Sequence, residues 1–151
     1  MKAALTLTKA QLAKALGKKT KHLPTEADEQ RTVMDWASRV YKRYPEVELL
    51  YAIPNGAQLG GNNRFATANF LKARGLKPGV PDLCLPVARG TYTALYIEMK
   101  RVKGGSVSPE QFWWQRKLME QGCCVAVCAG ARDAIETIEM YLSLGTTKSK
   151  R

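Results

Sequence analysis

Gly79-Val80-Pro81-Asp82-Leu83, a short apolar segment, a turn at Ala88-Arg89-Gly90-Thr91 and then Tyr96-Ile97-Glu98-Met99-Lys100 form the stretch on which the reading of this chain turns. On a strand successive side chains alternate between faces. Glu98 and Lys100 therefore share one face, while Leu95, Ile97 and Met99 point to the other. Asp82 opens the preceding strand, and pairing of the two strands through the turn brings its carboxylate next to Glu98. Two carboxylates and a lysine clustered in this way suit a divalent metal with a cationic helper, a common solution for phosphodiester hydrolysis.

Working outward, Ser108-Pro109-Glu110-Gln111 is a capping box with proline at the first helical position, so a helix starts there. Gly122 ends it, and Cys123 to Ala129 reads as a continuous apolar strand buried on both faces, in a central or parallel position. A helix over 132–144 turns Ala134, Ile135, Ile138, Tyr141 and Leu142 inward. Upstream, Thr25 caps a helix with Asp28 at its third position, and Val33, Trp36, Ala37, Val40, Tyr41 and Tyr44 recur at helical spacing. Glu26 falls on the centre line of that face, with Gln30 close by and Glu29 toward its edge. Residues 48–53 read as a strand that stops at Pro54-Asn55-Gly56, and a helix over 63–74 ends at Gly75. Asp82 to Val87 and Thr93 to Met99 form a hairpin, with Pro86 suited to an edge or bulge. The pattern is α/β, a mixed β-sheet flanked by helices.

At 151 residues the chain is the size of one domain. We expect a basic lead-in over 1–24, the domain over 25–144 and a basic tail over 145–151. Leu5, Leu12 and Leu16 allow a short amphipathic helix in the lead-in. The chain is 45% hydrophobic and 25% charged, an ordinary soluble composition. No apolar run approaches the roughly 18 residues of a membrane span, and the N-terminus lacks the apolar core of a signal peptide, so a cytoplasmic location is expected. Lys and Arg number 24 against 13 Asp and Glu, a formal net charge of +11 that favours a polyanionic partner. Cys84, Cys123, Cys124 and Cys128 include no C-x2-C pair and lie in apolar runs, which suits reduced thiols better than zinc.

Pro81-Asp82 with Glu98-Met99-Lys100 resembles the PD-(D/E)XK nuclease signature, and Gly79-Val80-Pro81-Asp82-Leu83 is the form it takes in the VRR-NUC branch. Ile53-Pro54-Asn55-Gly56, Leu71-Lys72-Ala73-Arg74-Gly75, Ser108-Pro109-Glu110-Gln111 and Gly122 before an apolar strand match in the order seen in small stand-alone members from bacteria and their phages. The similarity runs from Thr25 to Leu144. It implies a restriction-endonuclease-like core and a metal-dependent DNA endonuclease, with Mg2+ or Mn2+ held by Asp82, Glu98 and the Met99 carbonyl. It also implies that Glu26 points into the metal site, with Glu29 as the alternative, that Gln111 faces the active site and that Lys100 assists the attack.

Asn55, in a loop that lies beside the pocket in the family, is a DNA contact on this reading, although a plain turn accounts for it equally. Lys72, Arg74, Lys103 and Lys117 are further candidate DNA contacts, Lys117 being equally explained as a solvated lysine. Stand-alone members resemble structure-specific nucleases acting on branched DNA, four-way junctions above all. Two cuts on opposing strands imply a homodimer, for which Trp113, Trp114 and Tyr92 are a candidate patch. Of the two tryptophans, adjacent on a helix, one is expected to pack inward. The alternatives are a non-catalytic basic DNA-binding module on the same fold, or a flap- or restriction-type nuclease.

Overall fold

The computed structural model describes residues 23–54 and 64–146. Four strands, β1 (Tyr51–Ala52), β2 (Leu83–Leu85), β3 (Leu95–Lys100) and β4 (Cys124–Ala129), form one sheet in the order β1-β2-β3-β4. β2 pairs antiparallel with β1 and β3, with Leu83 opposite Ile97 and Leu85 opposite Leu95. β3 and β4 run parallel, with Glu98 opposite Val127 and Lys100 opposite Ala129. A parallel pair needs a crossover. Helix α3 (Pro109–Glu120) supplies it.

The core lies on the face of β3 that carries Leu95, Ile97 and Met99, all buried. Helices α1 (Glu26–Val40) and α4 (Ala131–Ser143) cover this face with Val33 and Ala37 from the first and Ala134, Ile138 and Tyr141 from the second. The apolar stripe expected on each helix is thus the surface that excludes water. Thr25 and Asp28 form the cap of α1: the Asp28 N–H donates to Thr25 Oγ1 at 3.2 Å and the Thr25 N–H to Asp28 Oδ2 at 3.0 Å. Helix α3 lies on the opposite face of β3, where Gln111 reaches Glu98 and Lys100. Among the described residues no helix is long and apolar enough to cross a membrane.

Several sequence expectations need correction. Residues 48–53 do not form one strand: Pro45–Leu49 is a 3-10 helix and only Tyr51–Ala52 pairs. Val47 and Leu50 are both buried, and a spacing of three places them together in the core as a strand period of two would not. β4 lies at the edge of the described sheet, paired with β3 alone, and Val127 is exposed. Only Cys128 of the strand is buried, while Cys124, Val125 and Ala126 are half-buried and Ala129 is exposed, so the apolar run is not buried on both faces as expected. β2 stops at Leu85, before Pro86. Tyr41, at the C-cap of α1, is exposed. Neither tryptophan of α3 enters the core; Trp113 is 54% exposed. Tyr92 does not share their patch: it packs on Tyr141 with ring centroids 6.4 Å apart, while Thr93 bonds to Gly122 beyond the far end of α3. Helix α2 (Arg64–Ala73) agrees with the expected 63–74. The expected lead-in helix, Asn55 and residues beyond Thr146 fall outside the described residues.

Candidate active site

The site is assembled where the start of β2, the end of β3 and the first turn of α3 meet. Gly79 makes that meeting possible. Its φ is +84°, and a Cβ there would stand 2.6 Å from the Glu110 carbonyl carbon. Only a residue without a side chain lets the Gly79–Asp82 segment lie directly on the α3 backbone. Asp82 follows the buried Pro81 and extends the ladder, its carbonyl accepting from the Ile53 N–H at 2.8 Å. Its Oδ2 accepts from the Met99 N–H at 2.7 Å.

Glu98 is 1% exposed. Its Oε1 accepts from Lys100 Nζ at 2.8 Å and from Gln111 Nε2, whereas Oε2 is buried with no hydrogen-bond partner among the described residues. Burial pushes the Glu98 carboxyl up to about 7; the Lys100 ammonium opposes this, and the negative charges of Asp82 and Glu26 add to it. Lys100 is 9% exposed, and its Nζ also donates to Gln111 Oε1 at 3.1 Å. Gly105 closes over the lysine stem so tightly that a Cβ there would stand 2.7 Å from Lys100 Cβ. Gln111 serves two structures at once. Its Oε1 accepts from the Ser108 N–H at 2.9 Å, completing the α3 cap, while its amide nitrogen holds Glu98. The cap therefore fixes the rotamer that reaches the acid.

The two acids of α1 separate clearly. Glu26 is close enough to Glu98 for its charge to raise the Glu98 pKa. Glu29 Oε2 accepts from the Ala131 N–H at 2.8 Å, capping α4 at the point where Gly130 (φ +89°) turns out of β4. Glu98, Lys100 and Gln111 thus form one hydrogen-bonded group, Asp82 is tied to the Met99 backbone between the first two, and the charges of Asp82 and Glu26 are in electrostatic range of Glu98. The candidate cations lie outside it. Lys72 and Arg74 are exposed at and just beyond the end of α2, Arg74 over the Phe70 ring at 5.3 Å. Lys103 lines a separate groove with Thr25 and Arg101. Lys117 pairs with Glu120 at 2.7 Å on the solvent side of α3.

Three supports were not read from the sequence: Glu29 as the cap of α4, Gly105 over Lys100, and the ion pair that joins the buried Arg89 of the β2–β3 turn to Glu46. The capping acid is 102 residues from the amide it receives, so no local pattern marks it. Gly105 carried a signal, as a glycine in a loop following the strand that ends in Lys100.

A four-stranded mixed sheet flanked by helices, with an acid pair and a lysine at one end of its two middle strands, defines the restriction-endonuclease-like class of core. Within it the chain belongs to the VRR-NUC domain family, whose model matches residues 24–132. A solved structure described as "VRR_NUC domain protein" superposes with a TM-score of 0.68 at 30% identity, over 83% of this chain and 93% of that one. A comparison with curated proteins gave no match. The family is one of nucleases, with DNA as the partner that such an activity implies.

Proposed function

We propose that this chain is a divalent-metal-dependent DNA endonuclease of the cytoplasm that cuts branched DNA, four-way junctions in particular, as a homodimer. The observation that carries the proposal is Glu98 Oε2, a buried carboxylate oxygen without a described partner, on an acid whose pKa burial raises to about 7. Such a group favours a cation, because an approaching positive charge relieves both its missing contact and its desolvation. Among the described residues no group of three Asp, Glu, His or Cys side chains could hold a metal ion by itself, so water and phosphate oxygens would have to complete its shell. An acid pair with a backbone carbonyl suits Mg2+ or Mn2+, hard ions that take oxygen ligands and keep several waters. Asp82, Glu98 and the Met99 carbonyl would hold the ion, with Glu26 as the further acid.

When bound, the ion polarises the phosphodiester and provides a nucleophile at neutral pH. Lys100 places a positive charge beside the acid pair, where it orients the attacking water and offsets the charge that builds on the phosphorus oxygens during attack. Gln111 holds Lys100 and Glu98 in register, so no reorientation is needed as that charge develops. Lys72, Arg74 and Lys103 supply backbone contacts for the flanking DNA, in keeping with the net charge of +11. One chain carries one Asp82–Glu98–Lys100 group, so a two-fold dimer supplies the second cut that a junction of near two-fold symmetry requires.

The test is cleavage of junction, flap, duplex and single-stranded DNAs with Mg2+, Mn2+ or chelator, beside Asp82→Ala. Chelator should stop the reaction and either ion restore it. Chelator-resistant cutting would defeat the metal reading, and junctions left intact while flaps are cut would redirect the substrate. Sedimentation at micromolar concentration and a cruciform plasmid test the dimer: a monomer that yields only nicked circles excludes it.

A further inference from the structure

Beside the acid pair, an open groove of about 460 Å3 is lined by Lys77, Pro78, Pro109, Glu110, Trp113 and Trp114. The two indoles meet edge to face, centroids 5.4 Å apart and planes at 89°, and the Trp114 N–H is fixed by the Pro78 carbonyl at 3.0 Å. Lys77 Nζ stands 5.9 Å from the Trp114 ring centre. Trp113 keeps 54% of its surface in water. A second groove, of about 540 Å3, shares Lys77 and Trp114 and carries Arg74 on its wall. The first groove adjoins the site through the chain: Pro78 precedes Gly79, which packs on the backbone of Glu110 and Gln111, and Glu110 precedes the Gln111 that holds Glu98.

We infer that this groove receives an unpaired nucleobase of the DNA substrate, stacked on Trp113, next to the phosphodiester that enters the acid pair. The inference rests on the nuclease reading above and adds a base-binding subsite to it. Three observations select a base over other occupants. The walls are aromatic and proline carbon, and the largely exposed Trp113 indole, set edge to face against a Trp114 whose N–H is fixed, offers a face to any base regardless of sequence. The rim carboxylate of Glu110, bonded to Ser108 Oγ at 2.9 Å, repels phosphate from the groove itself. Lys77 and Arg74 stand where the phosphates flanking a stacked base can be met. A second copy of the chain fits less well, because a two-fold contact through this face sets Lys77 and Arg74 of one protomer against those of its partner.

The test is binding measured by fluorescence anisotropy in chelator, where no cutting intervenes. Three junctions are compared: fully paired, with one unpaired thymidine at the branch, and with an abasic residue at that position. The wild-type chain should prefer the unpaired base to the abasic site by roughly tenfold, within the range that stacking one base supplies. Trp113→Ala should erase that preference while leaving affinity for the fully paired junction within about twofold, and Trp113→Phe should retain most of it. Equal binding of the thymidine and abasic junctions by the wild-type chain would overturn the inference. So would a Trp113→Ala protein that keeps the preference, weakens on all three DNAs alike, or sediments as a smaller assembly. If the wild-type chain binds none of the three, the junction reading falls, and the subsite with it.

Discussion

The Met99 backbone N–H donates to Asp82 Oδ2 at 2.7 Å, which ties the acid at the start of β2 to the residue between Glu98 and Lys100. Asp82 therefore serves the sheet as well as the proposed chemistry, and its substitutions separate the two. Asp82→Asn keeps an acceptor for the Met99 N–H but loses the charge; cleavage should fall by roughly 100-fold or more with the melting temperature little changed. Asp82→Ala loses both and should also destabilise by about 1 to 3 kcal/mol, the cost of a buried amide left unpaired. Near-normal cutting by Asp82→Asn would remove the charge from the mechanism.

Glu98 makes stability depend on pH in a direction opposite to that of most acids. Its folded pKa of about 7 lies above the ordinary glutamate value of 4.5. Between these values the folded chain holds a proton that the unfolded chain has released, so stability falls as pH rises from about 4.5 to about 7 and then levels. Melting in chelator across this range should show a falling contribution that Glu98→Gln lacks. Identical pH profiles for the two proteins would contradict the raised pKa. Mg2+ or Mn2+ should bind more tightly as pH rises through 7, since the ion takes the ionised carboxylate.

Glu26 and Glu29 lie on one helix and should respond differently. Glu29→Ala uncaps α4 and should cost about 1 to 2 kcal/mol in urea unfolding, leaving cleavage by the folded fraction close to wild type. Glu26→Gln should leave stability unchanged or slightly raised, because it removes a negative charge near Glu98, and should lower cleavage. If the roles were exchanged in experiment, Glu29 would be the acid at the site.

Gly75 and Gly79 both have positive φ, at 99° and 84°, but an added Cβ meets nothing within 4 Å at Gly75 and the α3 backbone at Gly79. Gly75→Ala should cost about 1 to 2 kcal/mol for conformation alone. Gly79→Ala adds overpacking against backbone, for a total of about 3 kcal/mol or more, and should displace Asp82 and reduce cleavage. Equal denaturation midpoints for the two variants would mean that the segment relaxes away from α3 without cost.

Lys72 and Arg74, exposed around the end of α2, are positioned to contribute through counterion release. Replacing both with alanine should flatten the dependence of log binding constant on log salt by roughly one to two units. An unchanged slope would leave Lys72 as a partner of the helix end and Arg74 as a partner of the Phe70 ring.

The elements legible in the chain were those set by short-range periodicity. The boxes at Thr25–Asp28 and Ser108–Gln111, the stripes of α1 and α4 and the alternation along β3 are local patterns with one favourable geometry each. The motif residues Asp82, Glu98 and Lys100 were visible as types and spacings. Gln111 and Glu26 were named with them, whereas other supports were not, because long-range packing places them: Glu29 on the α4 amide, Gly105 on the Lys100 stem and Arg89 of the hairpin turn on Glu46. Where local rules failed, at residues 48–53 and in β4, an apolar run was compatible with more than one period or layer. The sheet then chose, by which side chains its helices could cover. The raised pKa of Glu98 is of the same kind: the letters supply a glutamate, and only burial among Lys100, Gln111 and Asp82 decides what its proton does.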